Sequence, residues 1–363
     1  MDKFNSKHIP FLVLATMIVS IKTYPTIYTK NGGRDSWVAM IIASIIFLAF
    51  IVYVVKGALK HNCFNVYRIY TSAVGKSLGS FLVGLLVVTF FLTLVESAAV
   101  FSNSLHNHML IDTPIWYFLL FFIPATLYTV KRDLVAIITV TLIGITLVTI
   151  SGINLAMLTA QYKRFDYLFP IFDRGLTVGF IKCTLQILAL FGGSLTILPY
   201  LKKLGETKKL VKYLIYSLLF AFQIHLVSLT GLFMTFDVHF VNYMTYPNLF
   251  QTQLVSHFRF LEMGELFVML QIVGGWYLKY VITFYAMLSI IRDMKIETRK
   301  IVYYVSGLVF VLGYFIGNDL FFLFRMLNIY TYIALANFII IPLFIFPIFS
   351  KKGLQVPSDT SAN

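Results

Sequence analysis

Long stretches without a charged side chain constrain this chain more than any other feature of its sequence. Reading from one charge to the next gives ten apolar stretches, and about 20 mostly apolar residues suffice to cross the hydrocarbon core of a bilayer. They are residues 8–29, 36–55, 77–105, 113–130, 134–157, 183–201, 213–236, 266–291, 301–318 and 326–350. Only Lys22, Glu96 and Lys279 interrupt them with a charge. Because a chain in lipid must satisfy its backbone polar groups internally, we predict an all-α polytopic membrane protein with ten transmembrane helices.

The charge composition leads to the same prediction. Only 12% of the residues are charged and 59% are hydrophobic, whereas soluble proteins carry about 25% charged residues. The 29 lysines and arginines outnumber the 15 acidic residues, a balance that nucleic-acid-binding proteins share. Here, however, the basic residues cluster between the apolar stretches, which is typical of membrane edges. We therefore expect a lipid bilayer around the chain and no nucleic acid as a partner.

The distribution of the basic residues predicts the orientation. Ten crossings put both termini on one side, and the segments on that side hold nineteen lysines and arginines against eight on the other. Because cytoplasmic segments carry the excess of these residues, both termini are expected in the cytoplasm. The residues after Ser350 form a polar cytoplasmic tail, 351–363.

The first apolar stretch contains a predicted helix break. Lys22 lies mid-stretch, and Pro25 follows it closely. Proline lacks a backbone donor and clashes with the preceding turn, so the helix should end or kink just before it. A broken helix at membrane depth must line a cavity or pack within protein. We therefore expect Ile21, Lys22, Thr23 and Tyr24 to line a cavity; the alternative is a kinked helix with Lys22 reaching outward to the interface.

The sixth stretch contains the second predicted interruption. Gly192 and Gly193 precede Ser194, and Pro199 ends the run. Adjacent glycines weaken a helix and allow close approach, although small residues also serve simply to pack membrane helices. Interruptions in corresponding stretches of two halves are the best sequence indicator of a transporter site. We expect the sixth helix to unwind here, facing the break at Ile21–Tyr24, whereas Gly152 and Gly231 have no predicted role in the site.

Glu96 is an acidic residue at predicted membrane depth. A carboxylate there must be neutralised or paired. Lys22 is the nearest candidate partner by depth, and Lys279 is its rival. We favour the hypothesis that Lys22 and Glu96 meet near the midplane and shape a pocket. The alternative is an ion pair that only fixes helix packing. A further buried polar residue, His225, is expected to make a hydrogen bond between helices.

The sequence contains no motif of a known enzyme class. It has no phosphate-binding loop, no dinucleotide fingerprint and no zinc-protease motif, and Cys63 and Cys183 lack metal-ligand spacing. We therefore predict neither enzymatic activity nor a cofactor nor a metal site.

An ordered set of short motifs resembles the spore germination permease family, the membrane-embedded B subunit of nutrient germinant receptors within the amino acid–polyamine–organocation superfamily. The motifs span nearly the whole chain. They are Pro25, the turn Gly33-Arg34-Asp35-Ser36-Trp37, Glu96, Thr113-Pro114, the loop Phe165-Asp166-Tyr167-Leu168-Phe169-Pro170, Phe191-Gly192-Gly193, Leu198-Pro199 and the segment Phe260-Leu261-Glu262-Met263-Gly264-Glu265. That last segment lacks the family's arginine, and Lys22 occupies a depth where many superfamily members are uncharged.

The resemblance implies a LeuT-like fold of two inverted repeats of five helices, 8–157 and 176–350, within one membrane domain spanning 1–363. Helices 1 and 6 are broken, with a ligand site between them at the midplane. From the breaks and the buried charge described above, we expect the ligand-binding residues to be Ile21, Lys22, Thr23, Tyr24, Glu96, Gly192, Gly193 and Ser194. The resemblance also implies a receptor for a small nutrient in the inner membrane of a spore, assembled with an A-type membrane subunit and a C-type lipoprotein subunit. We expect the nutrient to be an amino acid. Two alternatives remain: a proton-coupled amino-acid transporter of the same superfamily, and a passive channel or assembly scaffold without its own ligand.

Overall fold

Helices dominate the computed structural model, which describes residues 4–173, 175–254 and 263–352. The first half of the chain holds α1 (Ile9–Thr23), α2 (Thr26–Gly32), α3 (Ser36–Lys60), α4 (Val66–Val74), α5 (Lys76–His108), α6 (Ile115–Val130) and α7 (Leu134–Leu158). The second half holds α8 (Val178–Gly192), α9 (Leu198–Leu201), α10 (Leu210–Thr235), α11 (Val238–Tyr243), α12 (Pro247–Gln253), α13 (Met263–Asp293), α14 (Ile301–Asn318), α15 (Leu320–Ala334) and α16 (Ile341–Lys352). A π-helical turn, Leu335–Ile340, joins α15 to α16. No strand occurs among these residues.

Eight helical segments of the described chain are long and apolar enough to cross a membrane. The helices α1 and α6, with 15 and 16 residues, are apolar but shorter. A multi-pass membrane protein is therefore confirmed. The predicted starts of the sixth and the last span, Cys183 and Met326, lie too late in the chain because each directly follows a charged residue. The sixth helix begins at Val178. The last span begins at Leu320, where Asp319 caps the helix by accepting a hydrogen bond from the Phe322 N–H at 3.0 Å.

The first span is broken where the proline predicted it. The helix α1 ends at Thr23, and α2 begins directly after Pro25. A helix end leaves carbonyl groups without intrahelical donors, and side chains supply them here. The Tyr28 hydroxyl donates to the Ile21 carbonyl at 3.2 Å, and the Asn248 amide donates to the Lys22 carbonyl at 2.5 Å. The break is thus held by α2 and by α12.

The sixth span is interrupted differently from the prediction. The chain passes from α8 into a 3₁₀ helix, Gly193–Ile197, and then into α9. The helix is tightened rather than unwound, and its first residues do not face the break in α1. A methyl group on Gly192 would lie 2.7 Å from Cβ of Phe338, and one on Gly193 would lie 3.8 Å from the Thr16 carbonyl oxygen. The glycines therefore serve close packing against the last span and the middle of α1.

The helix α1 lies at the centre of the bundle. It packs against α7, α10 and α13, while α5 packs against both α13 and α14 and α3 packs against α8 and α10. On the periphery, α4 is a short amphipathic helix that lies against α5 and α16, with Val66, Ile69, Tyr70 and Ala73 buried. Because α1 is surrounded on all these sides, the side chains near its end are the ones that the bundle brings together.

Candidate functional site: a buried ion pair beside a cationic cavity

An ion pair lies in the core of the bundle, where α1, α5 and α13 meet. The Lys279 ammonium contacts both carboxylate oxygens of Glu96, at 2.8 Å and 2.6 Å. Only 4% of the Lys279 side chain and 2% of the Glu96 side chain are exposed. The hydroxyls of Ser20 and Tyr24 both donate to Glu96 Oε1, at 3.0 Å and 2.5 Å. We call these four residues the ionic centre; each of its charges is paired and hydrogen-bonded, as burial demands.

The hypothesis that Glu96 pairs with Lys22 is therefore wrong. Ser20 and Tyr24 are four residues apart on α1, so they share the face that meets Glu96. Lys22 is two residues from each, and at 3.6 residues per turn its side chain points to the opposite side of the helix. Its ammonium instead donates to the Gln271 amide oxygen at 3.1 Å. Lys22 therefore does not reach outward to the interface, as the kinked-helix alternative predicts.

Lys22 faces a cavity of about 320 Å³. The cavity is bounded by α1, α7, α10 and α13, and α12 lies over one end of it. Binding pockets for small molecules commonly measure about 300–1,000 Å³ and combine apolar walls with a few polar groups. The walls here are mostly aliphatic. The charged and amide side chains that line it are Lys22, Lys163, Gln223, Asn248, Gln251 and Gln271.

The charge of this cavity is positive. Among the described residues that line it, two are lysines and none is an aspartate or glutamate. The Lys163 ammonium donates to the Ala156 carbonyl at 3.2 Å, and partial burial lowers the pKa of Lys163. Lys22 has three ammonium protons, and within the described chain its ammonium donates to the neutral amide of Gln271. The negative charge of Glu96 belongs to Lys279, so the described lining residues can supply cationic donors to a ligand but no carboxylate.

Two glycines leave room for the lysines of the cavity. A methyl group at Gly152 would lie 3.8 Å from the Lys22 ammonium nitrogen, and one at Gly231 would lie 3.6 Å from that of Lys163. Both distances are ordinary contacts, so a larger side chain at either position would extend into the space around an ammonium group. Both glycines, for which the sequence predicts no role, therefore line the cavity.

A family model described as spore germination protein matches residues 3–321. The chain belongs to the spore germination protein family. No curated protein matches it. The match runs from before α1 into the start of α15, so it includes every helix that contributes to the ionic centre and to the cavity.

Two motifs that carried the resemblance to the spore germination protein family contact each other. In the turn after α2, Asp35 accepts a hydrogen bond from the Phe172 N–H at 2.9 Å. Its neighbour Arg34 donates to the Phe169 carbonyl at 2.9 Å. These contacts tie the turn to the loop after α7. The motif Phe260–Glu265 lies outside the residues whose side chains the structure describes.

The eight predicted ligand-binding residues fall into three groups in this member of the family. Lys22 and Thr23 line the cavity. Glu96 and Tyr24 belong to the ionic centre, and the Ile21 carbonyl is capped by Tyr28. The other three residues, Gly192, Gly193 and Ser194, are buried at the start of the 3₁₀ turn, where the Ser194 hydroxyl donates to the carbonyl of Phe191. Ligand binding by the eight residues stays a prediction.

Sequence reasoning missed several residues that the fold assembles. Gln271 and Asn248 hold Lys22 from two other helices, and neither carries a charge that would single it out. Lys279 is the second of the two predicted partners of Glu96. Its signal in the sequence is that it is the one charged residue of the stretch 266–291. The expected interhelical hydrogen bond of His225 is absent. Both ring nitrogens lack a hydrogen-bond partner among the described residues, and the ring lies 5.7 Å from that of Phe191.

Proposed function

We propose that this chain is the membrane-embedded subunit of a nutrient germinant receptor, and that it binds a small nutrient in the cavity beside the α1 break to trigger spore germination. One observation carries the proposal: a cavity of about 320 Å³ lies against a broken helix, and the Lys22 ammonium faces it without an acidic partner in the described chain. A buried ammonium is costly unless an anion or polar group compensates it. The carboxylate of an amino acid supplies that compensation.

A LeuT-like arrangement of ten helices in two inverted repeats is part of the proposal. In such a fold each helix of the first repeat corresponds to one helix of the second. A contact between two helices should therefore recur between their two counterparts. The contact of α1 with α10 has its counterpart in α8 with α3, and that of α5 with α14 in α13 with α6. The contact of α7 with α13 likewise corresponds to that of α15 with α5. These pairs support repeats at 8–157 and 176–350.

The proposed setting is the inner membrane of a dormant spore, with both termini cytoplasmic. The excess of basic residues in the segments on the side of the termini supports this orientation. In it, Lys163 and α12 lie toward the exterior, so a nutrient reaches the cavity from outside. An A-type membrane subunit and a C-type lipoprotein subunit are the proposed partners, on the strength of the family alone.

A proton-coupled amino-acid transporter is the second candidate, and the ionic centre favours it. Glu96 touches the end of α1, and ionisable residues inside membrane spans commonly mark proton pathways. Protonation of Glu96 would release Lys279 and loosen the contact between α1, α5 and α13. The same centre is compatible with a receptor, where it only joins the three helices.

Spores and growing cells separate the two candidates. We expect spores with Lys22→Met to need at least ten times more of one nutrient for germination, and spores with Lys30→Met to respond normally, because Lys30 is an exposed lysine. Loss of the nutrient response without loss of uptake in growing cells supports the receptor. Unchanged germination on every single nutrient after deletion of the gene, together with lost uptake, contradicts it and supports the transporter. A response that survives every change to the cavity supports a scaffold without its own ligand.

A further inference from the structure

The charges around the cavity decide which end of a ligand it can recognise. A zwitterionic amino acid presents a carboxylate and an ammonium group. Lys22 and Lys163 can donate to the carboxylate, but no lining residue of the described chain is acidic. The ionic centre cannot supply the missing charge, since Glu96 is already held by Lys279, Ser20 and Tyr24. Among the described lining residues, an ammonium group would meet two like charges and neutral oxygens.

The remaining surface of the cavity suits an apolar body. It is lined by Ile153 of α7 and by Phe220 and Val227 of α10. The exposed fractions of these three residues are 49%, 41% and 46%, in that order. Each of the two helices packs against α1, while direct contact between α7 and α10 is marginal in the described chain. In a membrane, exposed side chains of spanning helices face lipid. The cavity therefore has cationic groups toward α1 and α12 and an apolar gap toward the bilayer between α7 and α10.

From these observations we propose that the cavity binds a carboxylate with an apolar body, and that it recognises the carboxylate through Lys22 without requiring an α-amino group. This inference rests on the proposed function insofar as the nutrient is the ligand. A carboxylate of this kind has two sources. A short one arrives dissolved in water, and a long-chain fatty acid arrives through the gap from the bilayer.

Four probes distinguish the groups of the ligand. They are L-valine, its deaminated analogue 3-methylbutanoate, L-valinamide, which lacks the carboxylate, and oleate. Binding is measured as the rise in Tm of the full-length chain in phosphatidylcholine nanodiscs over a titration of each probe. We expect 3-methylbutanoate to stabilise the protein at concentrations within about threefold of L-valine, and valinamide to have no effect. Stabilisation by 3-methylbutanoate assigns the aqueous source, and stabilisation by oleate alone assigns the bilayer source.

Variants connect the binding to Lys22. Lys22→Met should weaken carboxylate binding at least tenfold, Lys22→Arg should retain most of it, and Lys30→Met should leave it unchanged. If Lys22→Met does not fold, Gly152→Val tests the same space, because its side chain extends toward the Lys22 ammonium without removing the charge. We expect the valine variant to weaken binding at least tenfold as well.

The inference is wrong if valinamide stabilises the protein as much as valine does, or if valine binds and 3-methylbutanoate does not. It is also wrong if Lys22→Met or Gly152→Val folds and still binds carboxylates as tightly as the native chain. Failure of all four probes also overturns it. The proposed function is judged separately, since it fails only when spores lose no nutrient response on changing the cavity.

Discussion

The ionic centre allows a quantitative prediction about the stability of the bundle. Glu96→Gln leaves the Lys279 ammonium buried without an anion, and Lys279→Met leaves the carboxylate of Glu96 with two hydroxyl donors, Ser20 and Tyr24. Breaking a buried ion pair by removing one partner costs about 3–5 kcal/mol. A charged group that has lost its partner can also become neutral by gaining or losing a proton. In water a glutamic acid has a pKa of about 4.3 and a lysine about 10.4, so neutralisation at pH 7 costs about 4 and about 5 kcal/mol respectively.

The cost of neutralisation is an upper limit on the stability that each single variant can lose. Glu96→Gln should lower the free energy of unfolding by about 4–5 kcal/mol. Lys279→Met should lower it by about 2–4 kcal/mol, because the two hydroxyls still stabilise the carboxylate. In the double variant no charge remains buried, so the loss should be at least 2 kcal/mol smaller than the sum of the single losses.

Unfolding of the full-length chain in detergent micelles, followed by circular dichroism, measures these losses. Lys202→Met is the matched control, since Lys202 pairs with Asp293 outside the apolar core and 43% of its side chain is exposed. Exposed pairs contribute about 0–1 kcal/mol. Additive single losses in the double variant, or losses below 1 kcal/mol, would refute the assignment of a coupled buried pair.

The remaining predictions concern packing and the helix break, both measured as a change in Tm. Gly192→Ala should lower the free energy of unfolding by about 1–3 kcal/mol because its methyl group meets Phe338 at 2.7 Å. Gly193→Ala should change it by less than about 1 kcal/mol. Equal effects of the two variants would contradict the packing described. Tyr28→Phe should cost about 1 kcal/mol by removing the donor to the Ile21 carbonyl at the end of α1. Tyr304→Phe, at an exposed tyrosine, is its control, and a loss equal to that of Tyr28→Phe would argue against a cap.

The sequence predicts the spans and the first break well because each rests on a strong local signal. A charge inside a bilayer is costly, so uncharged runs mark helices, and Pro25 cannot continue the helix that precedes it. The first helix accordingly ends at Thr23. The same reasoning misplaces the last span, since Arg325 lies inside a helix that is capped earlier by Asp319. A charge near a helix end can reach the interface, and it therefore marks a boundary less sharply than a cap does.

The partners of the buried charges depend on helix rotation and packing, which local patterns do not encode. By depth in the sequence Lys22 is the nearest partner for Glu96 and Lys279 its rival, and the face of α1 that carries Ser20 and Tyr24 decides for Lys279. The cavity combines residues more than 200 positions apart, such as Lys22 and Gln271. Gly152 acquires its role only because α7 passes beside Lys22.

Protection of a single cysteine tests the central claim, that the cavity beside Lys22 holds the nutrient. Gly152→Cys adds a side chain whose Cβ lies 3.8 Å from the Lys22 ammonium nitrogen, and the native Cys63 and Cys183 are both buried. Spores carrying this variant are treated with a small membrane-permeant maleimide, with and without each nutrient. Gly307→Cys, on an open helix surface, is the control.

We expect the nutrient that triggers germination to slow modification of the cysteine at position 152 at least fivefold and to leave that at position 307 unchanged. Nutrients that do not trigger germination should protect neither position. Equal modification at position 152 with and without the triggering nutrient would contradict the claim that this cavity is where the nutrient binds.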